Sequence, residues 1–152
     1  MCTSFMGELL TATHNFGTAP TRGTSTADTF KAALYLTTAT VNASTTAYSS
    51  TNEVSGTGYT AGGVTVTNAT APTSTNSSAT AGTAYWTPSA SITYTTVTLS
   101  TAFDCVLIYN SSQSNKAVSV HTFGSQTVTA GTFTLTMPAN TTSTALLRLA
   151  TT

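Results

Sequence analysis

From Gly131 the chain reads GTFTLTM, with Thr132, Thr134 and Thr136 alternating against Phe133, Leu135 and Met137. Side chains two residues apart share a face in an extended strand, so a half-buried β-strand is the economical conformation for this run. The same period appears in FKAALYL (30–36), where Phe30, Ala32, Leu34 and Leu36 fall on one face and Lys31, Ala33 and Tyr35 on the other. One face of each run must be buried.

Further strand-like runs are VTVTNAT (64–70), AYW (84–86), SITYTTVTLS (91–100), FDCVLIYN (103–110), KAVSVHTF (116–123) and TALLRLA (144–150). The continuous apolar character of FDCVLIYN predicts a central strand covered on both faces. NSSQSN (110–115) has hairpin length and turn chemistry, and SQTVTAG before Gly131 suggests a second return. About eight short strands with no helix between them predict an all-β fold of antiparallel strands, a β-sandwich of jelly-roll type or a barrel. TAPTSTNSSATAG (70–82) reads as a polar surface loop. Residues 1–28, broken by Gly7, Gly17, Pro20 and Gly23, read as an extended N-terminal arm whose only helical hint is GELL (7–10), and 29–152 as a single β domain.

Composition narrows the function classes. Of 152 residues 40 are Thr, and only eight are charged, four of each sign. Arg22, Lys31, Lys116 and Arg148 are too few to neutralise a row of phosphates, which argues against nucleic-acid binding. Val, Ile, Tyr and Phe placed regularly among the threonines distinguish the chain from a disordered one. A net charge of zero gives little protection against association, so a surface like this is suited to lie against partners. Cys105 sits in an apolar run and reads as a small buried hydrophobe, while Cys2 falls in a terminus read as mobile. No basic, then apolar leader is visible in MCTSFMGELLTATHNF, and no apolar run approaches the length of a membrane span.

The stretch TNEVSGTGYTAGGVTVTN (51–68) gathers four glycines, Gly56, Gly58, Gly62 and Gly63, around Glu53 and Tyr59. A dinucleotide fingerprint must open a helix and a P-loop must end in Gly-Lys-Ser/Thr; here the glycines lead into the strand-like VTVT without a lysine. The expectation is a shaped loop, with Glu53 binding backbone amides of that loop or facing a partner, and Tyr59 folded over it. A glycosidase pair of Glu53 with Asp104 has no supporting pattern. His14 and His121 are too few for a metal site with two cysteines, and no Gly-x-Ser-x-Gly elbow anchors a triad among the many serines. No cofactor is implied. Of five Asn-x-Ser/Thr sequons, at Asn42, Asn68, Asn76, Asn110 and Asn140, roughly three are what this Ser/Thr content produces by chance.

The segments TFKAALY (29–35), TAYSSTNEVSGTGYTAGG (46–63), VLIYNSSQSNKAVSVHTFG (106–124) and GTFTLTMPAN (131–140) resemble small structural proteins of tailed bacteriophages, of the capsid decoration or cement type. The resemblance spans most of the chain from Thr29. It implies a non-enzymatic, jelly-roll or barrel-like virion protein on the outer surface of the capsid. Its partners would be the major capsid protein and copies of itself, as dimer or trimer, with no nucleic acid or membrane bound. In that setting Phe5, Leu9, Leu10 and Phe16 are candidate anchors of an arm that orders on assembly, with Glu53 and Tyr59 as further candidate interface residues. The rival expectation is a tail-fibre or receptor-binding β-domain gripping a host glycan, with Trp86, Tyr85 and Tyr94 as an exposed stacking platform.

Overall fold

The computed structural model describes residues 1–10, 13–16, 27–67, 73–74 and 82–150. Its elements, in chain order, are α1 (Thr3–Leu10), β1 (Phe30–Leu36), β2 (Val64–Thr65), β3 (Thr73–Ser74), β4 (Thr83–Trp86), β5 (Ile92–Asn110), β6 (Lys116–Leu135) and β7 (Leu147–Ala150). The chain is mostly β and every strand pairing is antiparallel. One sheet has the order β2-β1-β5-β6 and the other β3-β4-β7.

The largest departure from expectation is that four expected strands are two. Runs 91–100 and 103–110 fuse into the 19-residue β5, which starts at Ile92, and 116–123 and 131–137 fuse into the 20-residue β6, which stops at Leu135, so SQTVTAG is strand and not a return. No proline interrupts either run, and the irregularities that looked like turns are absorbed as bulges. Thr96 and Ala130 take positive φ (53° and 46°), and the β5/β6 register shifts repeatedly between Tyr94 and Cys105. The expected NSSQSN hairpin is present, closed by Ser114 and Asn115 with φ of 52° and 59°.

The bulges bend the hairpin until its far half lies over its near half. Phe133, in the row of Tyr94, packs edge-on against Phe103 at 5.0 Å and lies 5.4 Å from Phe123, both near the Cys105 row. Tyr94 donates its hydroxyl hydrogen to the Ala32 carbonyl of β1 at 2.8 Å. Leu34, Leu99, Phe103 and Leu107 are all fully buried, with Leu34 and Leu107 on opposite faces of the sheet. Each such side chain contributes about 1.5–3 kcal/mol of transfer free energy. Cys105 is buried as expected, and burial pushes its thiol up to about 11.

Where an extended arm was expected, the described residues of the N-terminal segment are docked on the β domain. Thr3–Leu10 is helical, entered through bonds from the Cys2 amide to the Val118 carbonyl and from the Thr3 amide to the Ala43 carbonyl, both 2.9 Å. Phe5 and Leu9, one turn apart, share a face. Phe5 is buried and Leu9 half-buried, and Cys2, expected in a mobile terminus, has no exposed surface. Phe16 stacks on Phe30 at 4.4 Å and meets the edge of Trp86 at 4.8 Å, which joins the segment to both sheets. Part of the expected loop 70–82 forms β3, and of the run 64–70 only Val64–Thr65 is strand; Asn68 to Thr70 lie outside the described residues.

Candidate functional site

Glu53 is buried and sits at the centre of the glycine-rich loop. Its Oε1 accepts from the Tyr59 hydroxyl (2.8 Å) and the Gly62 amide (2.7 Å), and its Oε2 from the Tyr48 hydroxyl (2.6 Å). Tyr59 in turn accepts from the Leu34 amide of β1 at 3.0 Å, so the carboxyl group is linked to the central sheet through one tyrosine. Tyr109 donates to the Gly62 carbonyl and Tyr35 to the Ser49 carbonyl. Five of the six tyrosines therefore place their hydroxyls on this loop or on β1 beside it.

The glycines make the approach possible. A Cβ on Gly63, whose φ is +72°, would lie 1.7 Å from the Ala32 carbonyl oxygen, and one on Gly56 would lie 2.1 Å from that of Thr98. The loop is pressed against β1 on one side and the far half of β5 on the other, with a bridge at Thr57↔Thr98. It acts as a strap between the two halves of the bent hairpin. Burial, followed by hydrogen bonding to Glu53 and its charge, pushes the Tyr48 hydroxyl well above the ordinary range. Burial pushes Tyr59 the same way, against the opposing bond from Leu34 and with the help of Glu53. Both stay protonated donors.

A second polar cluster ties the N-terminal segment down. Asn110, fully buried at the end of β5, accepts from the Ser112 amide through Oδ1, which orients its amide nitrogen toward Asp28 Oδ2 (2.7 Å) and His14 Nδ1 (3.0 Å). With Nδ1 accepting, His14 Nε2 carries the hydrogen that faces Glu8 Oε2 at 2.8 Å. Glu8 Oε1 meets Lys116 Nζ at 2.7 Å, and Asp28 also accepts from Gln113 and the Asn15 amide. Burial raises the Glu8 carboxyl, but hydrogen bonds from Lys116 and His14 outweigh it and leave it below its ordinary 4.5. A depressed carboxyl stabilises the docked segment fully above the unfolded value and loses that contribution as pH falls through the folded one. Acidification from pH 7 to about 5 is therefore expected to leave the segment docked, and acidification below about pH 4 to loosen it. The single tryptophan, packed on Phe16, reports the change as a red-shifted emission; an emission maximum constant from pH 7 to 3 contradicts it.

The candidate residues thus separate. Glu53 and Tyr59 are brought together within the chain itself. Phe5 and Phe16 are spent in its core, Leu9 lies at the edge of that core, and the Leu10 side chain lies outside the described residues. Tyr48, Asp28 and Asn110 were not singled out by sequence; Asn110, one of the five sequons, is fully buried. Trp86 and Tyr94 are each 2% exposed, so the three-aromatic platform is not formed. Among the described residues no group of three His, Cys, Asp or Glu side chains is arranged to hold a metal ion.

On the opposite flank, β6 lines an apolar groove of about 320 Å³ between the two halves of the hairpin. Phe123, Phe133, Leu135 and Met137 line it, all half-buried, with His121 among the polar groups at its wall. Burial lowers the His121 imidazole below its ordinary value, and its Nε2 lies 2.9 Å from the Ser119 hydroxyl. No protein-family model, curated protein or solved structure matches this chain.

Proposed function

We propose that the protein is a non-enzymatic capsid decoration protein of a tailed bacteriophage, a β-sandwich of jelly-roll type that binds the outside of the head as a homo-oligomer and bridges neighbouring major capsid proteins. The observation that supports this reading most is where the scarce polar chemistry goes. Glu53, Asp28, Glu8 and His14 are all engaged in holding segments of the chain to one another. What faces outward among the described residues is largely threonine and serine, with a half-open apolar groove along β6, a surface for lying against other proteins. Many copies on a shell multiply weak contacts, so no single strong site is needed.

The tail-fibre reading loses its support with the burial of Trp86 and Tyr94, since a stacking platform needs exposed ring faces. Quantitative mass spectrometry of purified particles distinguishes the two. The shell reading expects on the order of hundreds of copies per particle, following the symmetry-related sites of a closed assembly, with density on the head in low-resolution images. A few tens of copies, or density confined to the tail, overturns it.

A further inference from the structure

β6 is the outermost strand of its sheet, and its open edge is unusual. At its start the edge is covered, because the Ala117 amide bonds the Thr46 carbonyl and the Val118 carbonyl accepts from Cys2. Beyond Ser119, β6 pairs with β5 alone among the described residues. Exposed edges are normally guarded by lysine, inward charges or proline. Residues 117–137 contain no Lys, Arg, Asp, Glu or Pro, and His121, half-buried beside the Ser119 hydroxyl and held below its ordinary pKa, adds no charge at neutral pH. The guards present are the bulges between Thr122 and Phe133, which leave regular pairing at 120–122 and 133–135.

We propose that residues 120–135 of β6 are a self-association edge that pairs antiparallel with the same strand of a second copy across a two-fold axis, covering the groove lined by Phe123, Phe133 and Met137. A second copy is the occupant that the charges favour, since two uncharged edges meet without repulsion, whereas a charged partner would have to strip water from ions it cannot pair here. A two-fold axis turns one strand edge into its own complement. At ~3.3 Å per residue the edge runs about 50 Å along its contour and is roughly one ~10 Å sheet layer deep. Two copies together then bury on the order of 1,000 Å², the area at which an interface becomes specific. This deepens the oligomer half of the reading above and does not depend on its shell half.

Sedimentation of the full chain up to about 100 μM is expected to show a species of twice the 15.5 kDa chain mass. Thr122→Lys with Thr134→Lys, both at exposed groove positions, is expected to give a monomer with an unchanged far-UV spectrum. Hydrogen exchange on the unaltered protein is a second measure that needs no variant. Diluting the dimer should speed exchange of the outward-facing β6 amides at least about tenfold while β1 amides stay protected. A monomer at the highest concentration, a trimer, a dimer indifferent to both lysines, or β6 exchange independent of concentration overturns the proposal. Dimers that fail to decorate particles leave this edge intact and refute only the shell reading.

Discussion

Replacing Glu53 with alanine is expected to destabilise the protein by about 3–5 kcal/mol, because it strands the Gly62 amide and two tyrosine hydroxyls at about 1–3 kcal/mol for each group left without a partner. Tyr48, half-buried, can turn toward water and recover part of that cost; the Gly62 amide cannot. In a chain of this length the loss lowers Tm by roughly 10 °C. Glu53→Gln keeps an acceptor at Oε1 and is expected to cost about 1–2 kcal/mol. Urea unfolding of the two variants checks the order. If the strap works as a unit, Glu53→Ala and Tyr59→Phe are also non-additive, with a coupling of roughly 0.5–3 kcal/mol in a double-mutant cycle. Equal stabilities for wild type and Glu53→Ala would mean that the carboxyl group does not hold the loop.

Gly63→Ala should be at least as damaging, for a steric reason. The new methyl would meet the Ala32 carbonyl oxygen at 1.7 Å and the Ala33 Cα at 2.8 Å, both backbone atoms of a central strand that cannot swing aside. A left-handed backbone adds about 1–2 kcal/mol for any L side chain. We expect a loss of about 4 kcal/mol or more, enough to reduce soluble yield in a domain of ordinary 5–15 kcal/mol stability. Gly124→Ala is the matched control, since a Cβ there meets nothing within 4 Å. Glycine weakens a strand interior, so that change is expected to be neutral or to add up to about 1 kcal/mol. Chemical denaturation ranks the three proteins, and Gly63→Ala within about 1 kcal/mol of wild type would show that the strap does not approach β1 so closely.

The strands were legible where one face of a strand is half-buried. GTFTLTM reads as a strand because its period of two is local, and its first five residues lie in β6. The breaks between strands were harder to see. SQTVTAG carries turn-like residues, yet a bulge uses the same residues without ending the strand, and only the pairing of Val97 with Gly131 and of Leu99 with Val128 distinguishes the two. The N-terminal segment was misread for the opposite reason. Its apolar residues look isolated in sequence because Phe30 and Trp86, which cover Phe16, are supplied by distant strands.

Sequence alone determined that the chain is antiparallel and mostly β, that NSSQSN turns a hairpin, and that the glycine stretch shapes a loop. These depend on side-chain period and on backbone permissions, which are properties of a few neighbouring residues. Tertiary structure decided the rest: that one hairpin bends over itself, that Glu53 holds a strap with Tyr48 and Tyr59, and that the β6 edge beyond Ser119 is uncharged and pairs with β5 alone among the described residues. Those outcomes depend on partners such as Tyr94 with Ala32, 62 residues apart, and Asn110 with His14, 96 apart. Such contacts form only after the chain has closed long loops, and no local pattern encodes which distant group will be waiting there.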